Sequence, residues 1–176
     1  MLKQKAACDS SVLINFAKIG RLGSLLAVFE KPLLIPREVY SEAVERGIEK
    51  RELDALLIEK AVKNGFILVK KAGKIFEHPF LGAGEKAVIS LALENNLKAV
   101  CFDEAPARNA ARQKGLKTIG SLGVLALLLK NKLVTKQDAL GLLGEMIKRD
   151  YRISAKILEE FKKAIDGKEF ASTTTG

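Results

Sequence analysis

Short apolar runs alternate along this chain with longer stretches in which apolar residues recur every three or four positions. Lys5 to Cys8 predicts a first strand, followed by helices over roughly Ser11 to Ile19 and Arg21 to Phe29. Leu33 to Ile35 predicts a second strand, and Pro36 then opens a helix where its missing N–H costs nothing. Lys50 to Lys63 (KRELDALLIEKAVK) carries a strong helical period that Asn64-Gly65 stops. Phe66 to Lys70 reads as a third strand, and a helix follows from about Gly84 to Glu94. Lys98 to Phe102 predicts a fourth strand, Ala105 to Lys114 a helix, and Lys117 to Ile119 a last short strand. After Ser121, a good N-cap, the pattern is helical, with breaks near Lys132 to Thr135 and Tyr151 to Ser154.

Strands alternating with helices imply a mostly parallel sheet covered on both faces. The expectation is an α/β fold: a three-layer α/β/α sandwich with about five strands and a helical C-terminal extension over about 135–166. The 176 residues suit one domain, here 1–166, with a polar tail at 167–176 ending in ASTTTG expected to be disordered. In open parallel sheets the functional crevice lies beyond the carboxyl ends of the strands, where strand order reverses. That edge is where chemistry is expected.

Composition narrows the classes. Apolar residues at 48% and charged residues at 29% describe an ordinary globular chain. The N-terminal MLKQKAACDSS lacks the apolar core of a signal peptide, and Leu122 to Leu129 is far short of the roughly 20 residues of a membrane span. The expected location is the cytoplasm, with no membrane partner. A net charge of +9 suits a polyanionic partner as well as it suits a soluble surface, and charge alone leaves both open. Cys8 and Cys101 lie in apolar runs and read as reduced core residues. Two cysteines, one histidine and no CxxC disfavour a zinc site.

Four acids occupy unexpected places. Asp9 directly follows the first strand and Asp103 the fourth, which puts both on the ligand-binding edge. In PREVYSEAVERG, Glu42 follows Val39 by three residues and adjoins Ala43, bordering the apolar stripe. In GAGEKAVISLALE, Glu85 is spaced with Val88, Ile89 and Ala92 at i, i+3, i+4 and i+7, which predicts a carboxylate turned toward the sheet. Each has a plain structural explanation: Glu85 as a helix-dipole partner, Asp9 as an N-cap, Glu42 as a half-exposed neighbour of Glu38 and Glu45. Taken singly, the structural explanations are the stronger.

Together the four change the balance. Carboxylates gathered at one crevice repel and raise one another's pKa unless cations neutralise them. Hard divalent ions do so, and Mg²⁺ completes its shell with waters and substrate phosphate. An acidic pocket in a basic protein suits phosphodiester hydrolysis, in which metals activate water and stabilise the leaving oxygen.

The stretches CDSSVLINFAKIGRLGSLLAVF, LLIPREVYSEAV, LGAGEKAVISLALENN and KAVCFDEAPARNAARQKGLKTIGSLGVLALLLKNKLV resemble, in order, those of the PIN-domain ribonucleases. They are most similar to a subgroup of prokaryotic PIN proteins related to toxin–antitoxin nucleases, and cover most of residues 5 to 134. The resemblance implies that Asp9, Glu42, Glu85 and Asp103 bind one or two Mg²⁺ or Mn²⁺ ions, with Glu104 a candidate fifth acid. Ser10 stands where many relatives carry threonine, so the DSS opening departs mildly but keeps a hydroxyl for a phosphate oxygen or a metal-bound water. Glu85 replaces an aspartate of many other PIN proteins. The implied activity is metal-dependent cleavage of RNA to 5′-phosphate and 3′-hydroxyl ends, the implied partners a small antitoxin protein and a second copy of the chain.

Other residues carry weaker signals. Arg108 and Arg112 follow the acidic pair at helical spacing and are candidates to hold a phosphate, or a solvated helix face. Asn15 is a candidate for the crevice or for a local cap. His78, in a Pro-flanked loop, reads as surface, which leaves a Ser-His-Asp triad on Ser10 or Ser11 without a second histidine to draw on. The glycines at 82–84 and 120–123 lack the GK[ST] of a phosphate loop. Two further readings remain: a PIN fold that binds RNA or protein without cutting, and a receiver-like or phosphatase-like Mg²⁺ protein. Receivers carry adjacent acids after the first strand, where this chain has serines, and the DxDxT phosphatases need an aspartate where Ser11 stands.

Overall fold

In the computed structural model, which describes residues 3–166, every predicted strand forms. The expectation of a disordered tail at 167–176 lies outside the described residues. The strands are β1 (Ala6–Cys8), β2 (Leu33–Pro36), β3 (Ile67–Lys70), β4 (Ala99–Cys101) and β5 (Lys117–Ile119). They pair in the order β3-β2-β1-β4-β5, all parallel. The apolar β1 and β4 are buried along their whole length, whereas the edge strand β3 buries Ile67 and exposes Leu68 and Lys70. This is the continuous-against-alternating contrast expected of central and edge positions. Helices cover both faces, giving the three-layer α/β/α sandwich.

The register fixes the site. Cys8 lies opposite Cys101, so the residues that follow the two central strands emerge side by side. Asp9 N–H continues the ladder to the Cys101 carbonyl at 3.1 Å, and Phe102 N–H does so to Ile119 at 3.2 Å. The chain leaves β1 toward β2 and returns on the other side as β4, so strand order reverses between β1 and β4, at Asp9 and Asp103. Cys8 and Cys101 are both free and buried, and burial raises the Cys8 thiol well above its ordinary pKa, which keeps it protonated.

The helices are α1 (Ser10–Lys18), α2 (Leu22–Ala27), α3 (Arg37–Tyr40), α4 (Arg46–Glu49), α5 (Leu53–Lys63), α6 (Ala83–Glu94), α7 (Ala105–Gln113), α8 (Ser121–Lys130), α9 (Lys136–Lys148) and α10 (Ala155–Ile165). Between α3 and α4 the chain makes a π-helical turn at Ser41–Glu45. The expected helix from Lys50 begins later, at Leu53, because Arg51 adopts a left-handed conformation (φ 61°) and separates α4 from α5. Gly47 sits at this corner against Ala55, where a Cβ would come within 2.5 Å of the alanine methyl.

The breaks expected near Lys132 to Thr135 and Tyr151 to Ser154 separate α8, α9 and α10. Thr135 caps α9 reciprocally with Asp138, and Ser154 caps α10 through the Ile157 N–H. Leu143, Met146 and Phe161 from these helices are buried in the same apolar cluster as the sheet, and Lys136 pairs with Asp166 across their ends. No helix among the described residues is long and apolar enough to cross a membrane.

Candidate active site

A cavity of about 620 Å³ opens at the carboxyl edge of the sheet. Its walls carry five carboxylates (Asp9, Glu38, Glu42, Glu85 and Glu104) against one cation, Arg46, with Ser10, Ser11, Ser41 and the Gly82–Gly84 turn between them. Three of the four acids singled out in the sequence therefore share one cavity, and Glu104 joins them.

Asp9 is held at the base. It caps α1, its carboxylate accepting the Ser11 hydroxyl at 2.9 Å and the Ser11 N–H at 3.4 Å. Burial pushes its pKa up to about 6, the serine hydrogen bonds opposing and the charge of Glu42 adding to the rise. The cap role and the crevice position thus coincide in one side chain. Ser10, directly after it, is buried on the same wall.

Glu42 projects from the π-helical turn. Glu38, Ser41, Glu42 and Arg46 all line the cavity, while Val39, Ala43 and Val44 are buried in the core. A π turn inserts one extra residue per turn, which lets the polar face and the apolar face change phase within one continuous helical run. Glu38 was not among the residues singled out, although its spacing with Glu42 at i, i+4 was visible. Its Oε2 is, among the described residues, the one buried side-chain polar atom that finds no hydrogen-bond partner.

Glu85 differs from its expectation. It does not turn into the sheet: it is half-buried and its Oε2 accepts the Gly82 N–H at 2.8 Å, the return half of a capping box. At the first turn of α6 a free backbone N–H competes for the carboxylate, and the apolar spacing alone does not register that competitor. Its carboxylate stays on the cavity wall beside that bond. Gly84, one residue earlier, marks the narrowest approach: a Cβ there would lie 3.6 Å from Glu42 Oε2 and 3.7 Å from Asp9 Oδ1.

The acidic pair after β4 is divided. Glu104 stands at the N-cap position of α7, makes no side-chain cap hydrogen bond and lines the cavity. Asp103 lies off the cavity wall, its carboxylate accepting the Ser121 N–H at 2.7 Å, the Ser121 hydroxyl at 2.6 Å and the Asn15 amide at 2.9 Å. Asn15 is therefore no local cap but a link from α1 to Asp103. Tyr151 lies against the same carboxylate, and burial together with that charge raises its phenol above the ordinary range. Arg108 donates to the Asp103 carbonyl at 2.6 Å and Arg112 to the Thr118 hydroxyl at 3.0 Å, and neither lines the cavity. Arg46 takes the place on the wall that these two were expected to hold.

The donor set is one of hard oxygens. Among the described residues no three acidic, histidine or cysteine side chains converge closely enough to hold a metal ion by themselves. An open, acid-walled groove of this kind fits an ion that keeps waters and shares its shell with substrate, as Mg²⁺ does. The donorless Glu38 oxygen fits a cation in the groove as well, since a buried carboxylate oxygen is costly without one or a hydrogen bond. A family model described as DUF3368, a PIN domain, matches residues 5–166. No curated protein matches the chain.

Proposed function

The chain belongs to the PIN-domain family, whose members are generally nucleases, and from that premise we propose that it is an endoribonuclease dependent on Mg²⁺ or Mn²⁺. The observation that carries this reading is the approach of Asp9 and Glu42 to one point above Gly84, where strand order reverses. Asp9, Glu42 and Glu85 would hold the ion, while Asp103, off the wall, ties Asn15 and Ser121 together behind it. Glu38 and Glu104 add charge to the same wall. When bound, the metal supplies an activated water and charge stabilisation at the phosphate.

The protein's own groups do the rest. Arg46 offers the cavity its one guanidinium for a phosphate oxygen, and Ser10 and Ser11 present hydroxyls beside Asp9. Water adds to phosphorus as the 3′-oxygen leaves, which gives a 5′-phosphate and a 3′-hydroxyl. The surplus of lysine and arginine elsewhere (+9 net) supports a nucleic-acid substrate, because the acidic groove alone would repel one.

Three partners belong to the same proposal. A small antitoxin protein covers the acidic groove in the cytoplasm, inserting a cation among the carboxylates. A second copy of the chain packs on the exposed leucines of α5, Leu53, Leu56 and Leu57. The helices after Gly120 mostly bury their apolar faces in the core. RNA is the substrate.

Purified protein is expected to cut single-stranded RNA with Mn²⁺ or Mg²⁺ and to stop with EDTA. Asp9→Asn is expected to lose at least about a hundredfold in rate, a typical cost of misplacing reacting groups. Equal cleavage by wild type and Asp9→Asn would reveal a contaminating nuclease and remove the assignment.

A further inference from the structure

The segment between β3 and α6 runs alongside α6 instead of looping into solvent. Glu94 accepts the backbone N–H groups of Gly73 and Lys74, Phe76 N–H donates to Ser90 Oγ at 2.7 Å, and Glu77 pairs with Lys86 at 3.4 Å. The segment is thereby tied along its length and ends at Gly82 on the cavity wall.

Every second residue from Phe76 to Phe80 carries a ring. Phe76 and His78 have centroids 5.9 Å apart, and His78 and Phe80 6.1 Å apart. The inner end of the row is anchored: Phe76 packs against the core, with the Lys114 ammonium 4.8 Å from its ring. The outer end is free. Phe80 is 82% exposed, more than any other large apolar side chain among the described residues. The His78 ring accepts the Phe80 N–H through Nδ1 at 3.3 Å, so the histidine read as plain surface braces this turn.

Among the described residues the Phe80 ring has an edge contact with His78 as its one aromatic partner, and it stays 82% exposed. Its sequence neighbours Glu77, Pro79 and Gly82 make no broad apolar patch for a protein partner. Its position is informative, because two residues of chain reach at most about 7 Å. The Phe80 backbone therefore lies within about one nucleotide's length of the cavity wall, and Lys71 and Lys74 are exposed toward the far end of the segment, where Glu94 holds it. A flat exposed ring at the rim of a groove is one way single-stranded nucleic acid is held, because every base has a face to stack on it.

We propose that Phe80 is a stacking platform for an unpaired base of the RNA strand whose phosphate enters the acidic cavity. This rests on the nuclease reading of the cavity. It gives the site a preference for single-stranded or everted nucleotides, because a paired base has no free face to offer.

The test reads binding and cleavage separately. Anisotropy of a labelled single-stranded oligoribonucleotide is measured in an Asp9→Asn background, so that binding is seen without cutting. Phe80→Ala is expected to weaken binding about tenfold and Phe80→Trp to restore it, in line with loss of one stacked base. On a base-free ribose-phosphate oligomer of the same length, Phe80→Ala is expected to change nothing. With Asp9 intact and Mn²⁺ present, Phe80→Ala is expected to raise KM and leave kcat unchanged. Unchanged affinity for the RNA, or an equal loss on the base-free oligomer, overturns the platform. Cleavage with an unaltered KM also overturns it and leaves the nuclease reading intact. Binding through Phe80 with no cleavage by the unmutated chain does the reverse. Equal thermal midpoints confirm that the variants are folded.

Discussion

The negative charge of Asp9 works against the fold. Its carboxyl, ordinarily near 3.8, is raised to about 6, so the folded protein holds this proton more tightly than the unfolded chain. The stability it contributes is complete below about pH 4 and is lost as pH rises through about 6, a difference of about 3 kcal/mol for a two-unit shift. Asn at this position can still cap α1, since its side-chain oxygen accepts the same Ser11 donors. Asp9→Asn in EDTA is therefore expected to be more stable than wild type by about 1–3 kcal/mol at pH 7.5, with the gap closing toward pH 4. Urea midpoints of the two proteins across that range measure it, and a gap that does not narrow on acidification would refute the buried-charge account. Asp103 has the opposite character, because it satisfies three donors from Ser121 and Asn15. Asp103→Ala leaves those donors without an acceptor and is expected to cost about 2–3 kcal/mol in a denaturant melt as well as activity. Asp103→Asn preserves the shape but sets an amide against the Asn15 amide, so its melt is expected to fall between the two.

At the scale of elements, the site depends on two helix starts and one π turn. Gly84 lies in the first turn of α6, and the space its missing Cβ leaves lies between Glu42 and Asp9. Alanine is the better helix former by about 1 kcal/mol. Gly84→Ala is therefore expected to raise the melting temperature while lowering Mn²⁺-dependent cleavage about a hundredfold by crowding the ion's place. Loss of both stability and activity would mean the methyl disturbs packing against Val39 instead. Strands and most helices were legible in the sequence because each carries one strong period and a clear stop. Asp9 was legible because it follows a strand at the expected edge, whereas Glu104 came in only through the family resemblance. The π turn was not, since the polar and apolar positions of SEAVE fit an ordinary helix equally well, and with it Glu38 and Arg46 were passed over. The opposing roles of Asp103 and Glu104 were equally hidden. Which of two adjacent acids faces a cavity depends on Asn15 and Ser121, 88 and 18 residues away from Asp103.

The whole molecule sets a basic surface around an acidic groove, and the two respond to ions in opposite ways. RNA binding by the surface releases counterions, so log affinity is expected to fall with log salt at a slope of about −2 to −3, about −0.7 for each of three or four phosphates. The groove gains from cations instead. Mn²⁺ at about a hundred times its dissociation constant is expected to stabilise the folded chain by about 2.7 kcal/mol, reversed by EDTA. Asp9→Asn separates the two effects, because it removes one groove carboxylate and leaves the basic surface as it was. The variant is expected to lose most of the Mn²⁺ stabilisation in a thermal melt while keeping the salt slope of RNA binding unchanged. Should the slope change with Asp9→Asn, the groove itself would be the main contact for the RNA backbone. Should Mn²⁺ stabilise the variant as much as the wild type, the ion would be held elsewhere, and the cluster of Asp9, Glu42 and Glu85 would lose its assignment.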